Sequence, residues 1–247
     1  SIFFCLSEYK MHTNILNMNR LVFSIDKNLF LFIYDNEWFL MEHVIQCDKL
    51  KDNNKLYILY NIVLFINSIS IYNICICSLS PYNIFVSDYC SIRIKGFEYL
   101  RLIIDREDGD NFKILDNEDL GYYAPEIIFG KSIGKEVDLW SLGVIIYEFF
   151  SGQRLFPYNN TINTIGALLN FFEINTDEIK NHPFIRQSKI PLVTQISEVK
   201  VFDYQRIKSN LMKNISKKSI RNIVSQLLEI DPGNRITISS RFNDKVF

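Results

Sequence analysis

Cys75 and Cys77 stand two residues apart, and five carboxylates, Asp105, Glu107, Asp108, Asp110 and Asp116, crowd a single stretch. Either group could ligate a metal. Cys-x-Cys without a second pair makes a poor site, however, and two buried small hydrophobes are the better reading. The carboxylates have a spacing that places no two of them reliably together, so they read as a solvated loop. His43, in a short apolar stretch, reads as a solvent-facing residue or a helix partner. Asp138 is different. Its surroundings, VDLWSLGVIIYEFF at 137–150, are apolar almost all round, as a buried helix should be, and a carboxylate there needs partners. The richest stretch is ICICSLSPYNIFVSDYCSIRIKGFEYL at 74–100. Residues 83–86 and 91–97 are β-branched and aromatic, and the polar SDYC between them is hairpin-turn chemistry. Pro81 stiffens the approach, so Ser78, Ser80 and Asn83 lie on a rigid loop ahead of a hairpin, with Gly96 at its far end.

This layout resembles the catalytic loop and metal-binding hairpin of the protein kinases, whose motif H-R-D-L-x-x-x-N is followed by D-F-G. The eight positions here read Ile76, Cys77, Ser78, Leu79, Ser80, Pro81, Tyr82 and Asn83. Leu79, Pro81 and Asn83 match the family's Leu, Pro and metal-binding Asn, and Phe97 matches the Phe of D-F-G. The chemical residues differ: Ser78 occupies the position of the catalytic base, Gly96 that of the metal-binding Asp, and Glu98 that of the Gly after the Phe. Later landmarks agree in order. Tyr123-Ala124-Pro125-Glu126 matches A-P-E, Asp138-Leu139-Trp140-Ser141-Leu142-Gly143 matches D-x-W-S-x-G, and the segment from Leu227 through Asp231, Pro232 and Arg235 to Thr237 matches L-L-x-x-D-P-x-x-R-I-T. The resemblance covers roughly residues 9 to 240. It implies that Asp138 accepts hydrogen bonds from the catalytic-loop backbone and that Glu126 and Arg235 form a buried ion pair.

The elements that must position these residues follow from the resemblance and from hydrophobic pattern. The fold class expected is α+β and kinase-like: a partial, β-rich N-lobe at 1–36 and a mainly helical C-lobe at 37–247. His12-Thr13-Asn14-Ile15 resembles the H-P-N-I that follows the N-lobe helix, and counting back puts Phe3 at the position of that helix's Glu. The eleven residues before His12 hold no Gly-rich loop and no V-A-I-K lysine, which reads either as truncation or as loss of the nucleotide-gripping half of that lobe. Residues 21–24 and 29–34 read as strands around the turn Asp26-Lys27-Asn28. Tyr34, Asp35 and Asn36 would be the hinge that receives an adenine, and residues 38–47 a short helix. Residues 56–77 are 22 uncharged, mostly apolar positions. They raise a membrane-span alternative, weakened by Asn61, Asn67, Ser68, Ser70 and Asn73, and in the kinase register they form a buried helix leading into the catalytic loop. The stretch INTDEIKNHPF at 174–184 looks like the insert of the cyclin-dependent and MAP kinase branch, with His182 as a loop residue.

Composition bounds the partners. Net charge is −1 with a pI near 6.3, so no global field argues for nucleic acid or an anionic membrane. Five cysteines without a Cys-x-x-Cys pair favour a reducing, intracellular compartment, cytoplasmic or nuclear. Only two alanines, Ala124 and Ala167, occur, so helix propensity is a weaker guide here than motif spacing. The activation segment holds no Ser or Thr between Tyr99 and Tyr123, and Glu118-Asp119 stands where the family often carries a phosphorylated Thr. Cys77 replaces the Arg that would receive such a phosphate, so both halves of a phosphate switch are absent together. The resemblance implies a pseudokinase, a kinase-like module that binds a protein such as an active kinase or its substrate, with ATP and magnesium held weakly at best. The alternatives are a divergent ATP-dependent Ser/Thr kinase, with Asn83 and Glu98 carrying magnesium, and a decayed gene fragment.

Overall fold

The computed structural model describes residues 20–24, 29–33, 38–47, 50–95, 101–103, 118–174, 182–183, 185 and 207–237. Strands β1 (Arg20–Ser24) and β2 (Leu29–Ile33) pair antiparallel with Arg20 opposite Ile33, as the two β-rich runs predict. The expected helix at 38–47 forms only in part. Trp38–Leu40 is a strand, β3, and the helix α1 is confined to Met41–Ile45. The strand wins because Trp38 and Phe39 suit a pleated surface and find a partner far along the chain in β5 (Ile84–Ser87). The guanidinium of Arg93 also lies 4.3 Å from the centre of the Trp38 ring. His43 is exposed on α1 with its imidazole 3.4 Å from Glu42, in line with the solvent-facing reading.

Helix α2 (Asp52–Ser70) supplies the long apolar stretch. Ile58, Leu59, Ile62, Val63, Phe65, Ile66 and Ile69 are buried, a helical stripe that faces the core. Among the described residues no helix is long and apolar enough to cross a membrane. The chain then turns through Asn73, at φ 54°, into β4 (Ile74–Cys75), which pairs with β7 (Arg101–Leu102). Between them β5 and β6 (Ile92–Ile94) form the expected hairpin, closed by Cys90 at φ 59° and a bond from the Cys90 N–H to the Ser87 carbonyl.

Among the described residues that follow, one buried helix forms the centre. A 3-10 turn (Glu118–Tyr122) and α3 (Pro125–Ile128) lead to α4 (Val137–Ser151), which is buried on every face from Val137 to Phe149. It ends at Gly152, left-handed at φ 68°, and the Lys55 ammonium donates to the Phe149 carbonyl, which the helix itself leaves without a donor. Helix α5 (Thr161–Phe171) is capped by the Asn160 side chain, which accepts from the Asn163 N–H. The short α6 (Lys208–Leu211) precedes α7 (Lys218–Leu227). Helix α7 lays Ile220, Ile223, Val224 and Leu227 against α4, so closely that a Cβ on Gly143 would come within 2.9 Å of Leu227 and Leu228. A methyl added there would overpack the α4–α7 contact.

Candidate functional site

Asp138 opens α4 as a fully buried carboxylate beneath the loop that follows β4. Its Oδ2 accepts from the Ile76 N–H at 2.8 Å and its Oδ1 from the Cys77 N–H at 3.0 Å, which meets its need for buried partners. Cys77 sits at φ 64°, and this left-handed turn aims two successive N–H groups at one carboxylate. Burial pushes the Asp138 carboxyl up to about 7, against the pull of those two hydrogen bonds. In the unfolded chain the same group ionises near pH 4, so between about 4 and 7 the native state keeps a proton that the unfolded state has released. Its contribution to stability is therefore greatest in acid and declines as pH rises through 7. Asp138→Asn is expected to flatten the fall in unfolding free energy between about pH 4 and 7. It also turns an amide NH₂ towards a backbone N–H, at a cost of about 1–3 kcal/mol. Urea denaturation of parent and variant across that pH range checks both, and parallel pH profiles would refute the first.

Above Asp138 the loop is closed upon itself. Ser78, at the position that would hold a catalytic carboxylate, is buried, and its carbonyl accepts from the Asn83 Nδ2 at 2.9 Å. The Asn83 N–H bonds the Ser80 carbonyl, and the Asn83 carbonyl accepts from the Lys95 N–H at 2.9 Å, so the loop is tied to the base of the hairpin. This leaves the Asn83 Oδ1 as the atom able to face a hard cation. Among the described residues no group of three or more His, Cys, Asp or Glu side chains is placed to hold a metal. Gly96, Glu98 and the hinge residues Tyr34, Asp35 and Asn36 lie outside the described residues, as do Phe3 and the carboxylates of 105–116.

The segment ahead of α3 reaches the loop through contacts that sequence reading did not anticipate. The Ser80 hydroxyl donates to Oδ1 of Asp119, so a carboxylate from the 3-10 turn is brought onto the catalytic loop. Tyr82 meets Tyr122 edge to face with ring centres 6.3 Å apart. The Tyr122 hydroxyl donates to Oε2 of Glu148 at 2.7 Å, and Oε1 accepts from the Leu155 N–H at 3.3 Å. Burial raises the Glu148 carboxyl to about 7, opposed by the Tyr122 bond and by the charge of Arg154. Arg154 lies over both tyrosine rings, at 5.5 and 5.9 Å. Glu148 could have been found: like Asp138, it is a charge in an otherwise apolar helix.

Glu126 and Arg235 meet as expected. Their bidentate pair has N–O distances of 2.5 and 2.6 Å, with both side chains essentially without solvent contact. The remaining Arg235 donors go to the carbonyls of Glu136, Glu229 and Ile230, and the guanidinium lies 5.3 Å from the Trp140 ring centre. One side chain thereby joins α3, the start of α4 and the turn after α7.

Comparison with known proteins matches this arrangement to a family. The model of the protein kinase domain matches residues 4–247. Mitogen-activated protein kinase 15 of Xenopus laevis is 27% identical over 94% of this chain and 39% of its own length. Extracellular signal-regulated kinase 2 of Dictyostelium discoideum is 24% identical over 94% of this chain and 62% of its own. The probable dual specificity protein kinase YAK1 homolog of Encephalitozoon cuniculi is 33% identical over 47% of this chain and 27% of its own. The chain thus spans less than two thirds of the length of each. The expected α+β kinase-like architecture, with its tied loop and buried ion pair, agrees with that match, and the chain belongs to the protein kinase family.

Proposed function

We propose that this chain is a pseudokinase: a kinase-like domain that binds a protein partner, such as an active kinase or its substrate, and does not transfer phosphate. The observation that carries the reading is Ser78. The loop backbone around it is bonded to Asp138 below and Asn83 above, yet the position offers a hydroxyl where phosphoryl transfer uses a carboxylate to orient the acceptor. Gly96, at the position of the metal-binding Asp, supports the same reading. An intact scaffold with its reacting groups replaced suits recognition better than turnover. A groove of about 370 Å³ between α1, α2 and the β5–β6 turn, where Phe39 is 55% exposed, offers one apolar surface for a partner.

A second reading is favoured by one contact. Asp119, held by Ser80, presents a carboxylate to the loop from another strand of chain, and a divergent Ser/Thr kinase could use it to orient the acceptor hydroxyl. The two readings separate on nucleotide. With no Asp at 96, the pseudokinase reading expects ATP to bind weakly and without regard to magnesium. Thermal melting with ATP, with and without the metal, tests this. A magnesium-dependent rise in Tm of several degrees, lost in Asn83→Ala, would overturn it.

A further inference from the structure

Cys75 and Cys77 are reactive groups that the kinase reading leaves unused. Residues two apart on a strand share a face, and Cys75 ends β4. Cys77 then turns left-handed at φ 64°, which folds the chain around Ile76 and brings the two sulfurs to 3.2 Å. Both side chains are buried, so the sulfurs are pressed together inside the core. Two thiols in contact can close to a disulfide on two-electron oxidation, which a single cysteine without a neighbouring thiol cannot do.

We propose that Cys75 and Cys77 are an oxidative modification site, a dithiol that a hydroperoxide closes to a disulfide within the loop, loosening its hold on Asp138. The step balances as follows. One sulfur attacks the peroxide, the O–O bond breaks, and a sulfenic acid results together with one water from hydrogen peroxide, or one alcohol from an organic hydroperoxide. The second sulfur attacks the sulfenyl sulfur, the S–O bond breaks, and the S–S bond forms with release of water. The two sulfurs are oxidised by two electrons and the peroxide oxygens are reduced. A thiol reductant restores the pair by exchange. To bond, the sulfurs must move roughly 1 Å closer than they stand. The chain that moves lies between them, and it carries the Ile76 and Cys77 N–H groups that Asp138 accepts. Closure therefore strains those two bonds. Burial makes the reaction slow, because the oxidant enters only when the loop opens; exposed Cys47 reacts first.

The test treats the purified chain with hydrogen peroxide, denatures it, alkylates it with iodoacetamide and maps the peptides. The expected result is a peptide about 2 Da light with neither Cys75 nor Cys77 alkylated, restored by dithiothreitol. Hydrogen exchange at the Ile76 and Cys77 amides should rise about tenfold or more in the oxidised form. The variant Cys5→Ser/Cys47→Ser/Cys90→Ser should give the same light peptide, and Cys75→Ala/Cys77→Ala neither the light peptide nor the faster exchange. Full alkylation of both residues after oxidation would overturn the proposal, as would a bridge from either to Cys90 or oxidation to sulfinic acid without bridging. A bridge that leaves exchange unchanged would overturn the link to Asp138. Because the peptide map of the parent reads the bridge directly, a variant that fails to fold does not remove the test.

Discussion

Arg235→Leu is expected to cost about 3–5 kcal/mol, the range found when one partner of a buried ion pair is removed and the other stays charged. A domain of this kind has a total stability of about 5–15 kcal/mol, so the variant should lie at or near the edge of folding. The loss is large because Arg235 does more than neutralise Glu126. Its donors also serve the carbonyls of Glu136, ahead of α4, and of the adjacent Glu229 and Ile230, after α7, which lie on two separate pieces of chain. Leucine would leave the buried Glu126 carboxylate without this donor and remove a partner from each of those part-buried carbonyls. Pairing it with Glu126→Leu should recover part of the loss, since the second change removes the stranded charge. Urea unfolding of the parent, the two single variants and the double variant completes the cycle. If Arg235→Leu melts within a degree of the parent, the pair is not what ties α3 to the end of α7.

The Glu126–Arg235 pair was legible only through the family resemblance, whereas Asp138 was legible as a charge with nowhere else to go. Asp138 in an apolar helix demanded buried donors, and the Ile76 and Cys77 N–H groups supply them. The hairpin at 84–94 was legible from β-branched and aromatic runs on either side of a polar turn. The strand at Trp38–Leu40 was not, because W-F-L fits a helix face or a pleat equally well, and β5, which decides the matter, lies far along the chain. The Ser80–Asp119 and Tyr122–Glu148 contacts join residues 39 and 26 positions apart. No local period links them. Only the rule that every buried charge has a partner could have singled out Glu148, and it would not have named Tyr122. Cys75 and Cys77 were read as small buried hydrophobes, and they are buried; their sulfur contact depends on the backbone turn at Cys77, which a side-chain pattern does not reveal.

On the pseudokinase reading proposed above, the loop keeps its shape without its reaction. Loss of a general base alone lowers a rate by about 10²- to 10⁴-fold, and on the proposed reading Gly96 stands in place of the metal-binding Asp as well. The measurement that tests it most directly is incorporation of radiolabelled phosphate from ATP into generic protein substrates and into the chain itself. It is made with and without magnesium, on the parent and on Asn83→Ala and Asp119→Asn. No incorporation above background is expected in any of the three, with or without the metal. Magnesium-dependent incorporation by the parent that disappears in Asn83→Ala would contradict it, and its disappearance in Asp119→Asn as well would place the missing carboxylate there.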